Sequence, residues 1–300
     1  MMKRVLPIIS LILSFIVACG TTTQKEYHSQ LASSALDSKD LAHLDAVLAS
    51  QPEDVKMRYA FRHPRETLSF FGIKPGDNVI EVLPGNGWYS RILSAYIGRE
   101  GNLIGVDYNP GMWAHFGSFA TPEFLSERRF WAAKWITNAR SWEGNLSPLL
   151  GYEFGQIPSE ITRKVDAVLF IRALHHLVRF DDHGDYVKQA MDDVQRVLRS
   201  GGIVGIVQHR APKRSSAKWA DGANGYLKEK DVIKLMEQAG FEFVAKSEIN
   251  ANPADKPKAP DDSVWRLPPR LRGSENNPEL RQFYREIGES DRMTLMFRKP

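Results

Sequence analysis

Residues 78–87 have the sequence NVIEVLPGNG, a short β-rich run that passes into a turn with two glycines. The turn signal Lys74-Pro75-Gly76-Asp77 precedes the run. Apolar residues at helical spacing follow it from Tyr89 to Ile97, with Gly98 as the stop. The segment therefore predicts a strand, a glycine turn and a helix, in that order.

The same alternation continues toward the C-terminus. Further strands are predicted at residues 102–107, 165–171, 203–207, 241–249 and 293–297. Helices are predicted from Val187 to Leu198, ending at Gly201-Gly202, and from Val232 to Ala239. Such strand–helix–strand units imply an α/β fold with a mainly parallel sheet and helices on both faces.

Two segments do not follow this alternation. A Pro-rich insertion at about residues 250–278 separates the two late strands and has no helical pattern. Another strand is expected between residues 111 and 160, where Trp131, Trp135 and Trp142 blur the periodicity. The pattern does not place that strand.

The composition is that of a globular protein. The chain has 300 residues, of which 42% are hydrophobic, and 40 basic against 36 acidic residues give a formal charge of +4. These values exclude a disordered, collagen-like or coiled-coil chain. The basic residues are scattered rather than clustered, so nucleic acid is not an expected partner.

The N-terminus has the pattern of a secretory signal. Lys3 and Arg4 precede the only long apolar run, which ends in small residues at Ala18 and is short for a membrane span. The end of this run and the two residues after it, Ile16-Val17-Ala18-Cys19-Gly20, resemble a bacterial lipobox. That resemblance implies cleavage before Cys19, a lipid on its thiol and a periplasmic location, with Gly20 typical of outer-membrane lipoproteins. The alternative is an uncleaved anchor helix.

These observations divide the chain into three parts. Residues 1–18 are predicted to be a lipoprotein-type signal peptide, residues 19–54 a tether with an N-terminal helix, and residues 55–300 an α/β domain. Leu41, Leu44 and Leu48 have helical spacing before Pro52. Because Cys19 is the single cysteine, the mature chain has no disulfide and no cysteine nucleophile or cysteine metal site.

Two acidic residues stand where open α/β sheets bind ligands, at the carboxyl ends of strands. Glu81 lies in the first strand, and Gly85 and Gly87 after it allow the backbone to approach a ligand. Asp107 ends the second strand, at a spacing that suits an acid binding a ribose diol. The alternatives are that Glu81 caps a helix and that Asp107 starts a turn.

Several motifs in order resemble class I S-adenosylmethionine-dependent methyltransferases. They are Glu81–Gly87, similar to the acid-x-Gly-x-Gly-x-Gly motif; Gly105–Pro110, with the ribose-binding acid; Asp166–Leu177; and the Val197–Gly202 turn. The resemblance implies a Rossmann-like, seven-stranded sheet with an antiparallel terminal strand. It implies that Glu81 faces the methionine amino group, that Gly85 and Gly87 allow close approach, and that Asp107 binds the ribose. The signal-bearing chain also resembles predicted exported methyltransferases.

The sequence departs from this family at two points. Leu83 occupies the place of the first glycine, which is expected to reshape the pocket around the amino-acid end of the cofactor. The fourth strand is not followed by an Asn/Asp-Pro-Pro-aromatic motif, so the resemblance argues against methylation of exocyclic base amines.

Catalytic candidates follow the fourth and fifth strands. His175, His176 and His209 are predicted to converge as candidate bases; alternatively His175 caps a helix and His176 packs. Arg172 is assigned to the cofactor-binding residues, where it is expected to bind an anionic substrate group or to pair with Asp166 or another carboxylate. No metal is expected, because the histidines lack the spacing of a zinc site.

Three functions are consistent with these patterns. The first is methyl transfer from S-adenosylmethionine to a small-molecule or envelope acceptor by an exported, lipid-anchored protein. The second is a non-catalytic or repurposed ligand-binding lipoprotein, because the cofactor is made in the cytoplasm. A nicotinamide dehydrogenase is disfavoured by Ser90, which stands where its motif needs glycine or alanine. The sequence makes no prediction of the oligomeric state.

Overall fold

The computed structural model describes residues 36–142, 144 and 146–300. The predicted signal peptide, Cys19 and most of the tether lie outside these residues. The N-terminal helix is present as predicted, with Asp37 capping it and Leu44, Val47 and Leu48 buried. None of the helices within the described ranges combines the length and apolarity needed to cross a bilayer.

The described residues form helices and strands in alternation. The helices are α1 Ser38–Ser50, α2 Glu53–Lys56, α3 Tyr59–Arg62, α4 Pro64–Phe71, α5 Trp88–Ile97, α6 Pro122–Arg128, α7 Trp131–Ala139, α8 Leu174–Arg179, α9 Tyr186–Val197, α10 Glu229–Gln238 and α11 Pro278–Ile287. The strands are β1 Asn78–Val82, β2 Asn102–Asp107, β3 Leu149–Glu153, β4 Val165–Ile171, β5 Leu198–His209, β6 Glu242–Ser247 and β7 Arg292–Arg298.

The strands form one seven-stranded sheet in the order β3-β2-β1-β4-β5-β7-β6. The first five strands of that order are parallel, whereas β7 is antiparallel to both β5 and β6. This confirms the predicted fold class. The order reverses beside β1, and ligands bind at such a switch point in sheets of this kind.

Strand β3 is the one that the sequence pattern could not place. Each of its five residues is only half-buried, and it forms the edge of the sheet beside β2. The central strand β4, in contrast, is buried along almost its whole length because helices cover both sheet faces. A half-buried edge strand has no such continuous apolar run, so its signal is weak.

The boundary between α9 and β5 differs from the prediction. The helix ends at Val197, whereas the sequence predicted that it continues through Leu198 to Gly201-Gly202. Leu198 already pairs with Val165 of β4, and an irregularity precedes the next pair, Ala167 with Ile203. The predicted helix end was wrong because Leu198, although at helical spacing, is buried in the sheet.

The Pro-rich segment contains only a single-turn 3-10 helix, Val264–Arg266, before α11. A buried polar network holds this segment. The Tyr226 hydroxyl donates to Asp255 at 2.9 Å and accepts from Arg266 at 2.8 Å, and Arg266 also donates to Asp255 at 2.5 Å. Because Tyr226, Asp255 and Arg266 are each paired in this network, the segment has a defined position, and it holds Trp265 beside the cavity described next.

Candidate functional site

A cavity of about 490 Å³ lies at the carboxyl end of the sheet. Its wall includes the glycine turn after β1, the end of β4 with the start of α8, and the end of β5. Arg58, Arg62, Trp265 and the Glu289-Ser290 pair complete it. The volume falls within the range of small-molecule sites, and the position is the one expected for such a sheet.

The turn after β1 has positive φ angles at its two glycines and also at Leu83. Leu83 has a φ of +52°, in the left-handed region where its motif neighbours Gly85 and Gly87 have φ values of +59° and +76°. A non-glycine residue there costs on the order of 1–3 kcal/mol and occurs mainly at functional sites. The predicted departure at Leu83 therefore changes the side chain that lines the cavity but not the conformation of the turn.

The two glycines of the turn have different surroundings. A Cβ on Gly85 would have no atom closer than 3.9 Å, and Gly85 lines the cavity. A Cβ on Gly87 would lie 2.7 Å from the Trp142 ring. Gly85 is thus open to a ligand, as the sequence predicted, whereas the space in front of Gly87 is taken by Trp142.

Glu81 is buried beneath this turn and is 4% exposed. Burial raises the pKa of its carboxyl group to about 8, although the Ser90 hydroxyl, which donates to it at 2.5 Å, and two arginines favour the charged form. Ser90 also accepts from the Trp135 indole at 3.3 Å. Ser90, the residue that argued against a dehydrogenase, is therefore the direct partner of Glu81.

This raised pKa predicts a pH dependence of stability. Between pH 4.5, its ordinary pKa, and pH 8 the folded protein keeps a proton on Glu81 that the unfolded chain releases. Stability should therefore fall by on the order of 1 kcal/mol per pH unit as pH rises through that window. In Glu81→Gln this contribution should vanish, so the melting temperature of the wild type should fall relative to that of the variant from pH 5 to pH 8.

The control is Glu53→Gln, a change at an exposed carboxylate on α2. Its melting temperature should follow the wild type at every pH. Parallel curves for Glu81→Gln and the wild type between pH 5 and pH 8 would show that Glu81 is ionised in the folded protein.

Asp107 ends β2 and is 1% exposed. The guanidinium of Arg128, from α6, forms an ion pair with it, yet neither carboxylate oxygen accepts a hydrogen bond of acceptable geometry within the described residues. Burial lowers the pKa of Arg128 to about 10, and its guanidinium lies 4.3 Å from the Trp113 ring. The turn after β2 uses Asn109 instead, which accepts from the Gly111 amide at 2.9 Å.

Glu81 and Asp107 match the polar groups of a nucleoside, provided that the Arg128 side chain moves away. The two oxygens of the buried Asp107 carboxylate, which have Arg128 as their ion-pair partner within the described residues, match the two hydroxyl donors of a ribose diol. The parallel register of β1 and β2 brings the ends of the two strands, with Glu81 and Asp107, to the same edge of the sheet. Arg128 must move away for the ribose to reach Asp107, and its side chain, 27% exposed, has solvent beside it.

The three predicted histidines lie together at the cavity wall. The ring centroids of His175 and His176 are 4.0 Å apart, and those of His175 and His209 are 5.5 Å apart. Burial lowers the pKa of all three, to about 4 for His175 and well below the ordinary value for the other two. All three rings are therefore neutral at pH 7.

Their hydrogen bonds distinguish the three rings. His175 Nδ1 donates to the Gln208 side-chain oxygen at 3.2 Å, and His209 Nδ1 shares a hydrogen bond of 2.6 Å with Ser290. His176 Nδ1 is buried without a partner in the described part of the chain, and its ring stacks on Trp265. His175 does not cap α8, because Ala173 precedes that helix and its side chain makes no capping bond.

Four arginines surround a single buried acid, Glu289, which also lines the cavity. Arg62 donates to Glu289 at 3.1 Å and Arg292 at 3.2 Å, Arg58 Nε donates at 2.9 Å, and Arg172 lies 3.7 Å away. Burial alone would raise the pKa of Glu289, but these cations hold it at about 2. We define Arg58, Arg62, Arg172 and Arg292 as the arginine cluster.

Arg172 therefore lines the cavity and pairs with Glu289 rather than Asp166, which pairs with Arg199 at 2.6 Å. The sequence analysis did not identify Arg58, Glu289 or Arg292 as part of the site. The only local signal is the spacing of Glu289 and Arg292, three residues apart before the last strand. Such pairs are common on protein surfaces, so the spacing alone does not indicate a buried cluster.

Metal ligands are not grouped in the described residues. No set of three or more His, Cys, Asp or Glu side chains there has an arrangement that would hold a metal ion. The chemistry available at the cavity is thus that of neutral imidazoles, buried carboxylates and guanidinium groups.

Comparison with known proteins gives structural neighbours but no sequence match. No protein-family model and no curated protein matches the sequence. A SAM-dependent methyltransferase from Aquifex aeolicus is 19% identical, with a TM-score of 0.43 over 67% of this chain and 93% of its own. One from Methanosarcina mazei is 13% identical, with a TM-score of 0.45 over 76% and 94%.

A third neighbour is a geranyl diphosphate methyltransferase solved in complex with GPP and sinefungin. It is 13% identical, with a TM-score of 0.45 over 80% of this chain and 77% of its own. These neighbours are methyltransferases whose sequence identity to this chain is low.

Proposed function

We propose that this protein binds S-adenosylmethionine across the carboxyl ends of β1 and β2 and transfers its methyl group to an acceptor held in the cavity. The observation that carries the proposal is the Asp107 carboxylate, buried at the end of β2 and, among the described residues, paired only with the partly exposed Arg128. It lies beside a glycine turn at the switch point of a seven-stranded sheet with an antiparallel terminal strand, which is the sheet that the class I resemblance implies.

The cofactor supplies, when bound, a methyl group activated by a sulfonium. Asp107 would accept hydrogen bonds from the ribose hydroxyls, and Glu81 would accept one from the amino group, whose positive charge would favour loss of the Glu81 proton. Gly85, which is open toward the cavity, would let the backbone approach the ligand. These residues act by orientation, which is the main source of rate acceleration in a displacement of this kind.

A base is required only when the acceptor must lose a proton. His176 is our candidate, because its ring is neutral and Nδ1 has no protein partner among the described residues. That nitrogen would take the proton of the acceptor, while the stacked Trp265 keeps bulk water from this side of the ring. His175 and His209, whose Nδ1 atoms have partners, would keep the wall of the cavity in place.

A second function, a ligand-binding protein without transferase activity, is favoured by two contacts. The Arg128 guanidinium is paired with the Asp107 carboxylate, and the Trp142 ring packs on Gly87. A chain in which these two side chains never move would leave no room for a nucleoside, and only the cavity beside the histidines and arginines would bind a ligand.

Calorimetric titration of the purified protein separates these two functions. S-Adenosylmethionine and S-adenosylhomocysteine should bind with micromolar affinity, whereas NADH should not bind. A folded protein that binds none of the three would favour the ligand-binding function. A protein that binds only NADH would overturn both.

We also propose that the protein acts at the bacterial envelope, anchored by a lipid on Cys19, on a small-molecule or envelope acceptor. The support is the lipobox-like sequence before Cys19. Radiolabelled palmitate should be incorporated into the wild-type protein in a bacterial host but not into Cys19→Ser. Equal labelling of both would contradict the anchor, and an unlabelled wild-type protein would favour an uncleaved N-terminal helix.

A further inference from the structure

The arginine cluster carries more positive charge than the structure neutralises. Its four guanidinium groups, from three separate parts of the chain, face one acid, Glu289. Glu81, the other carboxylate near Arg62 and Arg172, is buried and bonded to Ser90. Arg62 and Arg292 are buried, whereas Arg58 and Arg172 are partly exposed. Uncompensated charge is costly in a protein interior, so four cations around one acid, two of them buried, indicate an anionic ligand.

Two N–H groups of the cluster also lack acceptors. Arg62 is 2% exposed, and its Nη1 has no hydrogen-bond partner in the described part of the chain. The Nε of Arg172 is also buried and has no hydrogen-bond partner in the described part of the chain. Buried guanidinium N–H groups are normally paired, and both side chains line the cavity. Their missing acceptors would be supplied by an anionic oxygen group inside the cavity.

The backbone at Arg172 supports a role in binding. Its φ of +59° is in the left-handed region, which asparagine and glycine adopt more readily than arginine does. The Arg172 amide donates to the Val207 carbonyl at 2.7 Å, so the neighbouring strand end holds this conformation. An arginine kept in an unfavourable conformation at a cavity wall is typical of a functional residue.

We propose that the arginine cluster binds an anionic oxygen group, a carboxylate or a phosphate, of the methyl acceptor. This inference rests on the proposed function. The cluster lies at the ends of β4 and β7, whereas Asp107 lies at the end of β2, on the other side of β1. An acceptor held by its anionic group at Arg172 would extend past the glycine turn toward His176 and Trp265.

The cofactor carries a carboxylate as well, so the test must separate the two sources of anion. Inorganic phosphate and acetate are titrated into the protein saturated with S-adenosylhomocysteine, at constant ionic strength set with chloride. Melting temperature and calorimetry report binding. The variants are Arg172→Asn, which suits the left-handed backbone, and Arg58→Gln, at a position without unusual φ. The matched control is Arg65→Gln, an exposed arginine paired with Asp45.

Phosphate or acetate should bind the saturated wild type and Arg65→Gln equally. Each cluster variant should lose about tenfold or more in that affinity, because a charge-assisted hydrogen bond is removed. The affinity for S-adenosylhomocysteine should stay within about threefold in all variants. This pattern would establish an anion site for the acceptor.

Two results would overturn the inference. One is that phosphate and acetate stabilise the wild type no more than chloride does. The other is that Arg172→Asn weakens binding of S-adenosylhomocysteine but not of 5′-methylthioadenosine, which lacks the amino-acid part, because the cluster would then hold the cofactor carboxylate. Absence of any S-adenosylhomocysteine binding would instead overturn the proposed function, and anion binding measured then would support an anion site of the ligand-binding alternative.

Discussion

Replacing Asp107 by alanine should weaken binding of S-adenosylhomocysteine by about a hundredfold or more. The reason is that the two ribose hydroxyls would lose a charged acceptor, and each such hydrogen bond contributes on the order of 1.5–3 kcal/mol. The melting temperature should change little, because Arg128 can turn its half-exposed guanidinium into solvent when its partner is removed. Calorimetric titration of the variant measures the loss.

The variant Arg128→Ala tests whether Arg128 blocks the ligand site at Asp107. Arg128 competes with a ribose for the same carboxylate, so its removal should leave the affinity unchanged or increase it. Asp192→Ala, which removes an exposed acid paired with Lys188, serves as the neutral control. Unchanged affinity in Asp107→Ala would remove Asp107 from the binding site, and a large loss in Arg128→Ala would show that Arg128 contacts the ligand.

Glu289→Ala should cause the largest loss of stability. Removing one partner of a buried ion pair costs about 3–5 kcal/mol, because the remaining charges are left uncompensated. Here that partner is shared by the four guanidinium groups of the arginine cluster. The melting temperature should therefore fall by about 10 °C. Asp45→Ala removes an exposed acid from its pair with Arg65 and should cost no more than about 1 kcal/mol.

The effect of Glu289→Ala should also depend on pH and on added anions. Because its pKa is held at about 2, below the ordinary 4.5, the stabilisation by Glu289 is complete above pH 4.5 and is lost as pH falls toward 2. The difference in melting temperature between wild type and variant should therefore shrink below pH 4.5. Phosphate should restore part of the stability of the variant at pH 7. Equal losses in Glu289→Ala and Asp45→Ala would contradict the central position of Glu289 in the arginine cluster.

Most of the fold was predictable from local patterns. The strand and glycine turn at residues 78–87 and the buried run of β4 have periodicities and turn residues that depend only on near neighbours in the chain. The helix end at Leu198 was predicted wrongly, and the strand expected between residues 111 and 160 could not be placed. Leu198 has helical spacing but belongs to β5, and β3 is an edge strand without a continuous apolar run.

The candidate site was predictable in part for the same reason. Glu81, Asp107 and the histidine pair follow strand ends, and parallel strands bring their carboxyl ends to one edge of the sheet. His209 joins that pair because β5 lies beside β4. The positions of these residues at the sheet edge were thus predictable, whereas the side chains that they contact were not.

The sequence by itself determined six of the seven strands in their order along the chain, the glycine turn and the acids at the ends of β1 and β2. Only the tertiary structure decided that Arg128 faces Asp107 and that Glu289 lies among arginines from distant parts of the chain. Arg58 and Glu289 are 231 positions apart. Backbone periodicity and turn propensity act over a few residues, whereas ion pairing depends on which side chains the packed sheet brings together. No local pattern contains that information.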